Sequence, residues 1–161
     1  MHTDSAEQAA ATAVKGAAPG NKVRLRGLLV MVPCWAVLIV AWTLKPYACG
    51  YGTHEQLDLP GCSFLARTGW PCPTCGLTTS VAAAARGRVA AAWMAHPFGP
   101  VLLAAVAVLA AAGTIDLLTG VDAIGRLRPR LWWVWAAVAG LLGGWGLKLA
   151  IGLAGGTLPL R

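Results

Sequence analysis

Three long stretches of apolar residues, separated by more polar segments, dominate the pattern of this chain. They cover about residues 27–45, 98–118 and 131–153. Each is close to the roughly 20 residues that a helix needs to cross the hydrocarbon core of a bilayer. Pro33 lies about one turn into the first stretch, where a spanning helix can absorb it as a kink. The pattern therefore predicts an all-α integral membrane protein with three transmembrane helices.

A fourth helical segment is predicted between the first and second spans. Residues 75–95 are rich in alanine and are interrupted by Gly87. They are too short and too weakly apolar to cross a bilayer on their own, so we expect an interfacial or re-entrant helix. Residues 46–74, which precede it, contain several glycines and prolines and indicate an irregular loop that carries cysteines.

Residues 1–22 differ in character from the rest of the chain. They are polar and alanine-rich and show no sustained helical face, which predicts a disordered tail. A signal peptide is a poor match, because the apolar run begins late and is long enough to remain in the membrane. Residues 23–161 are then expected to form a single membrane domain.

The composition supports a membrane protein. The chain is 57% hydrophobic and 12% charged, against roughly 25% charged residues in ordinary soluble domains. Its net charge of +7 could suggest nucleic acid, but the basic residues form no stripe interleaved with aromatics, so we expect no nucleic-acid partner. The expected partner is the lipid bilayer, and other membrane proteins or a second copy of the chain are candidates. Gly140 and Gly144 have the spacing of close helix contacts, and we favour packing within the chain over a dimer seam.

The basic residues also indicate an orientation. Those before the first span are Lys15, Lys22, Arg24 and Arg26, and those in the loop before the third span are Arg126, Arg128 and Arg130. With three crossings both groups fall on one side, which the positive-inside rule makes cytoplasmic. Residues 45–97 and the short C-terminus are then extracytoplasmic. Asp116 and Lys148 lie a few residues from predicted span ends, where snorkelling to the interface accounts for both.

Four of the five cysteines lie in the segment between the first two spans. The fifth, Cys34, lies in the first span, where a small buried hydrophobe is the expected role. An even set of thiols in an oxidising compartment tends to pair. The four are Cys49, Cys62, Cys72 and Cys75.

A redox interpretation makes Cys72 and Cys75 a catalytic pair. A helix that begins just after them would point its partial positive end at the thiols and favour the reactive thiolate. Cys49 and Cys62 could form a second pair that exchanges with the first. No quinone or flavin motif accompanies them.

A metal interpretation uses the same two residues. The turn in Cys-Pro-x-Cys-Gly aims both sulfurs at one point, as in zinc ribbons, so zinc is a candidate cofactor and the absence of any cofactor is an equal alternative. A closed zinc site needs four ligands, and the secondary candidates, Cys49, Cys62 and His96, are not paired at short spacing. His96 is equally explained as a polar turn residue before Pro97.

A structural interpretation needs no cofactor. One or two disulfides would fasten the loop to a helical bundle, for about 2–4 kcal/mol each. A bridge between Cys72 and Cys75 closes so small a loop that little entropy is gained. The residues alone leave the redox, metal and structural interpretations open.

The run Cys-Pro-Thr-Cys-Gly-Leu-Thr at residues 72–78 is followed by the Gly87 break and a His-Pro turn into a span. In these features the chain resembles the small bacterial membrane proteins of domain-of-unknown-function family 2752. The resemblance covers about residues 60–118. The positions that match the family pattern are Cys72, Pro73, Cys75, Gly76, Thr78, Gly87 and Pro97.

The resemblance implies a bacterial inner-membrane protein and carries no established activity. Many members have Arg after the Thr, whereas this chain has Thr79, which puts any role of that cation in doubt. Cys49 and Cys62 lie outside the family pattern. Our leading hypothesis is non-enzymatic: an accessory or scaffold protein whose knuckle at Cys72 and Cys75 is held by a disulfide or a metal. The alternative is a membrane thiol–disulfide oxidoreductase that uses the same two residues.

Overall fold

Every regular element is helical in residues 18–127 and 130–156, which the computed structural model describes. The elements are α1 (Ala18–Thr43), a 3₁₀ helix (Thr53–Leu57), α2 (Ser63–Thr68), α3 (Leu77–Ala85), α4 (Val89–Ala95), α5 (Phe98–Thr119), α6 (Ala123–Arg126) and α7 (Leu131–Ala154).

Three of these helices are long and apolar enough to cross a membrane: Gly20–Thr43 in α1, the whole of α5 and the whole of α7. They expose large apolar side chains, among them Leu29, Leu131 and Ile151, each more than 60% exposed. Water would disfavour so much exposed apolar surface, whereas lipid tails would cover it. The predicted all-helical fold with three candidate spans is confirmed, and a membrane location follows from it.

The boundaries differ from the sequence prediction in informative ways. α1 is helical from Ala18, and Pro19 is tolerated in its first turn because the N–H groups there have no partner within the helix. Residues 18–22 of the predicted tail are therefore helical, and residues 1–17 lie outside the described residues. The predicted irregular loop contains the 3₁₀ helix and α2. Within residues 75–95, the two short helical pieces that the sequence predicts on either side of Gly87 are α3 and α4, and the φ of Gly87 is +70°.

Contacts divide the described chain into two compact units, and one of them comprises residues 18–35 and 108–127. Its centre is Asp116, which is fully buried although it lies in a candidate span. Asp116 accepts hydrogen bonds from Arg26 at 3.0 Å and from the backbone N–H of Ala123 at 2.6 Å. Arg26 also pairs with Asp122. The expected snorkelling of Asp116 is wrong, because α1 supplies a cation that satisfies the carboxylate where it lies.

The other unit comprises residues 36–107 and 130–156. α3 and α4 pack through small residues, and Ala82, Ala83 and Ala92 are buried there. In α7, a Cβ at Gly140 would lie 2.8 Å from the ring of Phe98, and one at Gly144 would lie 3.0 Å from His96. The two glycines therefore leave room for side chains of the same chain, which is the packing within the chain that the sequence favours.

Candidate thiol site

Three cysteine sulfurs converge on one point. The Sγ atoms of Cys62, Cys72 and Cys75 all lie within 4.8 Å of one another. The closest two, Cys72 and Cys75, are 3.0 Å apart and carry no disulfide. We call these three residues the tri-thiol site.

Short local structures aim the three sulfurs. Cys62 caps α2, and its Sγ accepts a hydrogen bond from the backbone N–H of Leu65 at 3.4 Å. Cys72 and Cys75 lie in a turn closed by the Cys75 N–H and the Cys72 carbonyl at 3.0 Å. α3 begins only at Leu77, after Gly76 in the left-handed region. The thiols therefore precede the helix.

Three side chains from distant elements hold alternate carbonyls of this turn. Trp145 Nε1 donates to the carbonyl of Pro71 at 2.8 Å, and Lys148 Nζ donates to that of Cys75 at 3.3 Å. The carbonyl of Pro73 lies 3.2 Å from His96 Nε2. Because Trp145 and Lys148 are three residues apart on α7, they lie on one face of that helix. The turn is thus fixed by groups more than twenty residues away in sequence.

His96 is fully buried and acts through the backbone. Its Nδ1 accepts a hydrogen bond from the N–H of Phe98 at 3.3 Å, which assigns the proton to Nε2 and makes it the donor to Pro73. Burial lowers the pKa of His96, so the ring is neutral near pH 7. Both ring nitrogens are engaged, and neither belongs to the converging ligand atoms. His96, a secondary candidate ligand from the sequence, therefore holds the carbonyl of Pro73 and does not face the three sulfurs.

Lys148 brings a positive charge to the site. Its Nζ also donates to the carbonyl of Ala95 at 2.9 Å, and its ammonium group is in electrostatic range of Cys75 and Cys72. The expected snorkelling of Lys148 is therefore wrong. Thr79, at the position where many family members have Arg, is buried and shares a 2.8 Å hydrogen bond with Thr53. In this chain a cation reaches the thiols from α7.

The two thiols of the Cys-x-x-Cys pair differ in acidity. Burial acts to raise the pKa of Cys72, but hydrogen bonds from Thr74 and Cys75 outweigh it and lower that pKa to about 7. Burial raises the pKa of Cys75 to about 12, and the hydrogen bond to Cys72 adds to the effect. Cys72 ionises first, and in the absence of a metal Cys75 keeps its proton near neutral pH.

A cavity of about 660 Å³ lies over the tri-thiol site and has all three cysteines in its wall. His54 and Glu55 of the 3₁₀ helix also line it, together with apolar side chains such as Leu59 and Leu65. Thr78, from the family pattern, lies in the same wall. Cys49 is exposed and does not join the cluster; its thiol faces the carbonyl of Tyr51 at 3.2 Å. The fourth cysteine of the predicted set is thus separated from the other three.

Gly76 is the position of the family pattern with the tightest surroundings. Its φ is +88°, and a Cβ there would lie 2.5 Å from the Ala95 carbonyl oxygen and 2.7 Å from that of Gly50. Gly87 has a similar φ of +70°, but nothing lies within 4 Å of its Cβ position. Pro97 follows His96, whose extended backbone ends α4 before α5 begins.

We expect Gly76→Ala to lower the free energy of unfolding by about 3 kcal/mol: about 1–2 from the left-handed backbone and 1–3 from the overlap with fixed carbonyls. Gly87→Ala should lower the free energy of unfolding by only about 1–2 kcal/mol, the cost of a left-handed backbone at a residue with a Cβ. Thermal or denaturant unfolding in detergent micelles measures both. Equal losses in the two variants would show that the close packing around Gly76 contributes nothing.

Fold and site together define a small helical protein with three candidate membrane spans and a cluster of three cysteines in the segment between the first and second spans. Residues 62–110 match the model of the family described as "Protein of unknown function (DUF2752)". The resemblance predicted from the sequence is confirmed over this segment. The match begins at Cys62, so this cysteine lies at the edge of the matched segment. No curated protein and no solved structure matches the chain.

Proposed function

We propose that the protein is a membrane accessory protein whose tri-thiol site binds a thiophilic d¹⁰ cation, with zinc as the first candidate. The observation that carries the proposal is the convergence of Cys62, Cys72 and Cys75. Zn²⁺ lies about 2.3 Å from each thiolate, which separates tetrahedral ligands by about 3.8 Å. The sulfurs, 3.0 Å apart in one pair and within 4.8 Å in all pairs, need shifts of about one ångström or less to reach that geometry.

A metal explains the third sulfur better than a disulfide does. A Cys72–Cys75 disulfide would use two thiols and leave Cys62 aimed at the bridge with no bond to make. A cation engages all three, and metal binding releases the proton that Cys75 otherwise keeps. The ammonium group of Lys148 then offsets part of the negative charge of three thiolates.

The decisive measurement is metal content of the full chain purified in detergent under reducing conditions. We expect one zinc per chain, and we expect removal by a strong chelator to lower the unfolding temperature, because the cation ties α2 to the turn before α3. Metal-free, fully folded protein with Cys72 and Cys75 bridged would contradict the proposal.

The proposed orientation places the amino terminus in the cytoplasm and the tri-thiol site outside it, in a bacterial inner membrane. The cationic segments before the first and third spans support this orientation. A thiol reagent that cannot cross membranes should then label metal-free Cys72 from outside intact cells. Labelling only in inverted vesicles would reverse the orientation.

A thiol–disulfide oxidoreductase is the second candidate, favoured by the 3.0 Å separation of the Cys72 and Cys75 sulfurs. Cys72 is partly accessible and Cys75 is buried. The Cys72 thiolate would attack a disulfide of a protein substrate and release one thiolate, which takes the proton of Cys75. Cys75 would then attack Cys72 and release the second substrate thiolate, which takes a proton from solvent. Two electrons pass to the substrate, which leaves as a dithiol, and the Cys72–Cys75 disulfide remains.

Alkylation of metal-free protein as a function of pH tests this second candidate. Because the pKa of Cys72 is lowered to about 7, its alkylation rate should rise with pH and reach half its maximum near pH 7. Cys75 should remain unreacted to far higher pH, since its pKa is about 12. Mass spectrometry after proteolysis assigns the label. A Cys72 rate that begins to rise only near the ordinary pKa of about 8.5 would remove the activated thiolate that an oxidoreductase needs.

A further inference from the structure

The tri-thiol site has a ligand-sized space beside it, which a purely structural metal site does not need. Structural zinc sites are closed by four protein ligands, whereas sites that act on a ligand have three and keep a fourth position open. The cavity of about 660 Å³ lies within the range of about 300–1,000 Å³ typical of small-molecule sites. Its wall includes all three cysteines of the tri-thiol site.

The nearest candidates for a fourth protein ligand do not close the site. His54 and Glu55 line the cavity, but their ligand atoms are not among those that converge within 4.8 Å. His54 Nε2 instead lies 3.3 Å from the carbonyl of Pro60. Among the described residues, three thiols are therefore the whole converging set, and the cavity lies where a fourth donor would approach.

The chemistry of the cavity indicates what that donor is. Its walls are mostly apolar, with Leu59, Leu65 and Leu77 among them. A d¹⁰ cation held by three thiolates readily takes a fourth thiolate, as in Cys₄ sites. A small organic thiol combines an apolar body with a soft sulfur, and it would bind as the thiolate.

We infer that the tri-thiol site holds its metal with an exchangeable fourth position, which takes a small thiol from the cavity. The inference rests on the proposed metal binding. An exchangeable fourth position would let the site bind a ligand or transfer its metal, in addition to stabilising the loop. The incoming thiol would lose its proton to solvent and bind as a thiolate. The oxidation states of the metal and the sulfur would not change.

Cobalt(II) in place of zinc reports the number of thiolate ligands through the sulfur-to-metal charge-transfer band. We expect 2-mercaptoethanol to raise this band by about one third in the cobalt-loaded full chain, because four thiolates replace three. Imidazole, a harder donor, should not raise it. Ala66→Phe fills the cavity from α2 and should abolish the rise while cobalt still binds. Arg67→Phe changes the neighbouring exposed position, which does not line the cavity, and should leave the rise intact.

Each result separates the inference from the proposed function. A tetrahedral cobalt spectrum that 2-mercaptoethanol does not change would overturn the open position and leave metal binding intact. Removal of cobalt from the protein by the thiol, with no ternary complex, would also overturn the inference. Absence of any cobalt binding by the reduced chain would overturn the proposed function itself.

Discussion

Cys62→Ser is expected to lower the affinity for zinc by more than about 100-fold, a larger effect than the 10–100-fold typical of residues that only support a ligand. Cys62 supplies one of three converging sulfurs, and a serine hydroxyl is a poor ligand for a thiophilic cation. Cys49→Ser should leave the affinity unchanged, because Cys49 is exposed and lies outside the cluster. The two variants remove the same chemical group from the same segment, so they form a matched pair.

Competition with a chromophoric chelator measures both affinities in the detergent-solubilised chain. This pair of variants distinguishes a three-sulfur site from a knuckle of Cys72 and Cys75 alone. If Cys62→Ser and Cys49→Ser bind zinc equally well, then Cys62 is no ligand. The cation would in that case need donors other than those that converge here.

The fold could be predicted from the sequence because its signal is local. An uncharged apolar run of sufficient length indicates a span whatever surrounds it, and residues 98–118 and 131–153 correspond closely to α5 and α7. The sequence did not predict α2: Gly69, whose φ is +72°, is a usual residue at a helix end, but Cys62, which caps the other end, is not a usual capping residue. Six residues are also too few to show a helical period.

The site was only half predictable, because half of it depends on distant contacts. The spacing of Cys72 and Cys75 shows a potential ligand pair by itself. Cys62 joins them only because α2 folds back on the turn, and no sequence spacing reports that. In the sequence, Trp145 is one more apolar residue of a predicted span, and Lys148 was assigned to snorkelling at the end of that span. In the structure, both donate hydrogen bonds to carbonyls of the turn, more than seventy residues earlier in the chain. A lysine inside a span was the available signal, since such residues are often functional.

The same reasoning applies to Asp116, and Asp116→Ala is expected to lower the free energy of unfolding by about 2–4 kcal/mol. Removal of one partner from a buried ion pair costs about 3–5 kcal/mol, and the side chain of Arg26 is 41% exposed, which screens part of the effect. The variant also leaves the N–H groups of Ala123 and Ile124 without the acceptor that Asp116 provides.

Asp122→Ala is the matched control, because Asp122 pairs with the same arginine from an exposed position. Its loss should be smaller and should come mainly from the N-cap that Asp122 provides to the Gly125 N–H, since solvent already screens the ion pair with Arg26. Asp116→Asn should fall between the two, because the amide oxygen can still accept from Ala123 while the charge that balances Arg26 is gone. Denaturant unfolding in micelles gives the ranking. If Asp116→Ala and Asp122→Ala are equally destabilising, the buried carboxylate contributes no more than a surface charge, and Arg26 is stabilised mainly by solvent.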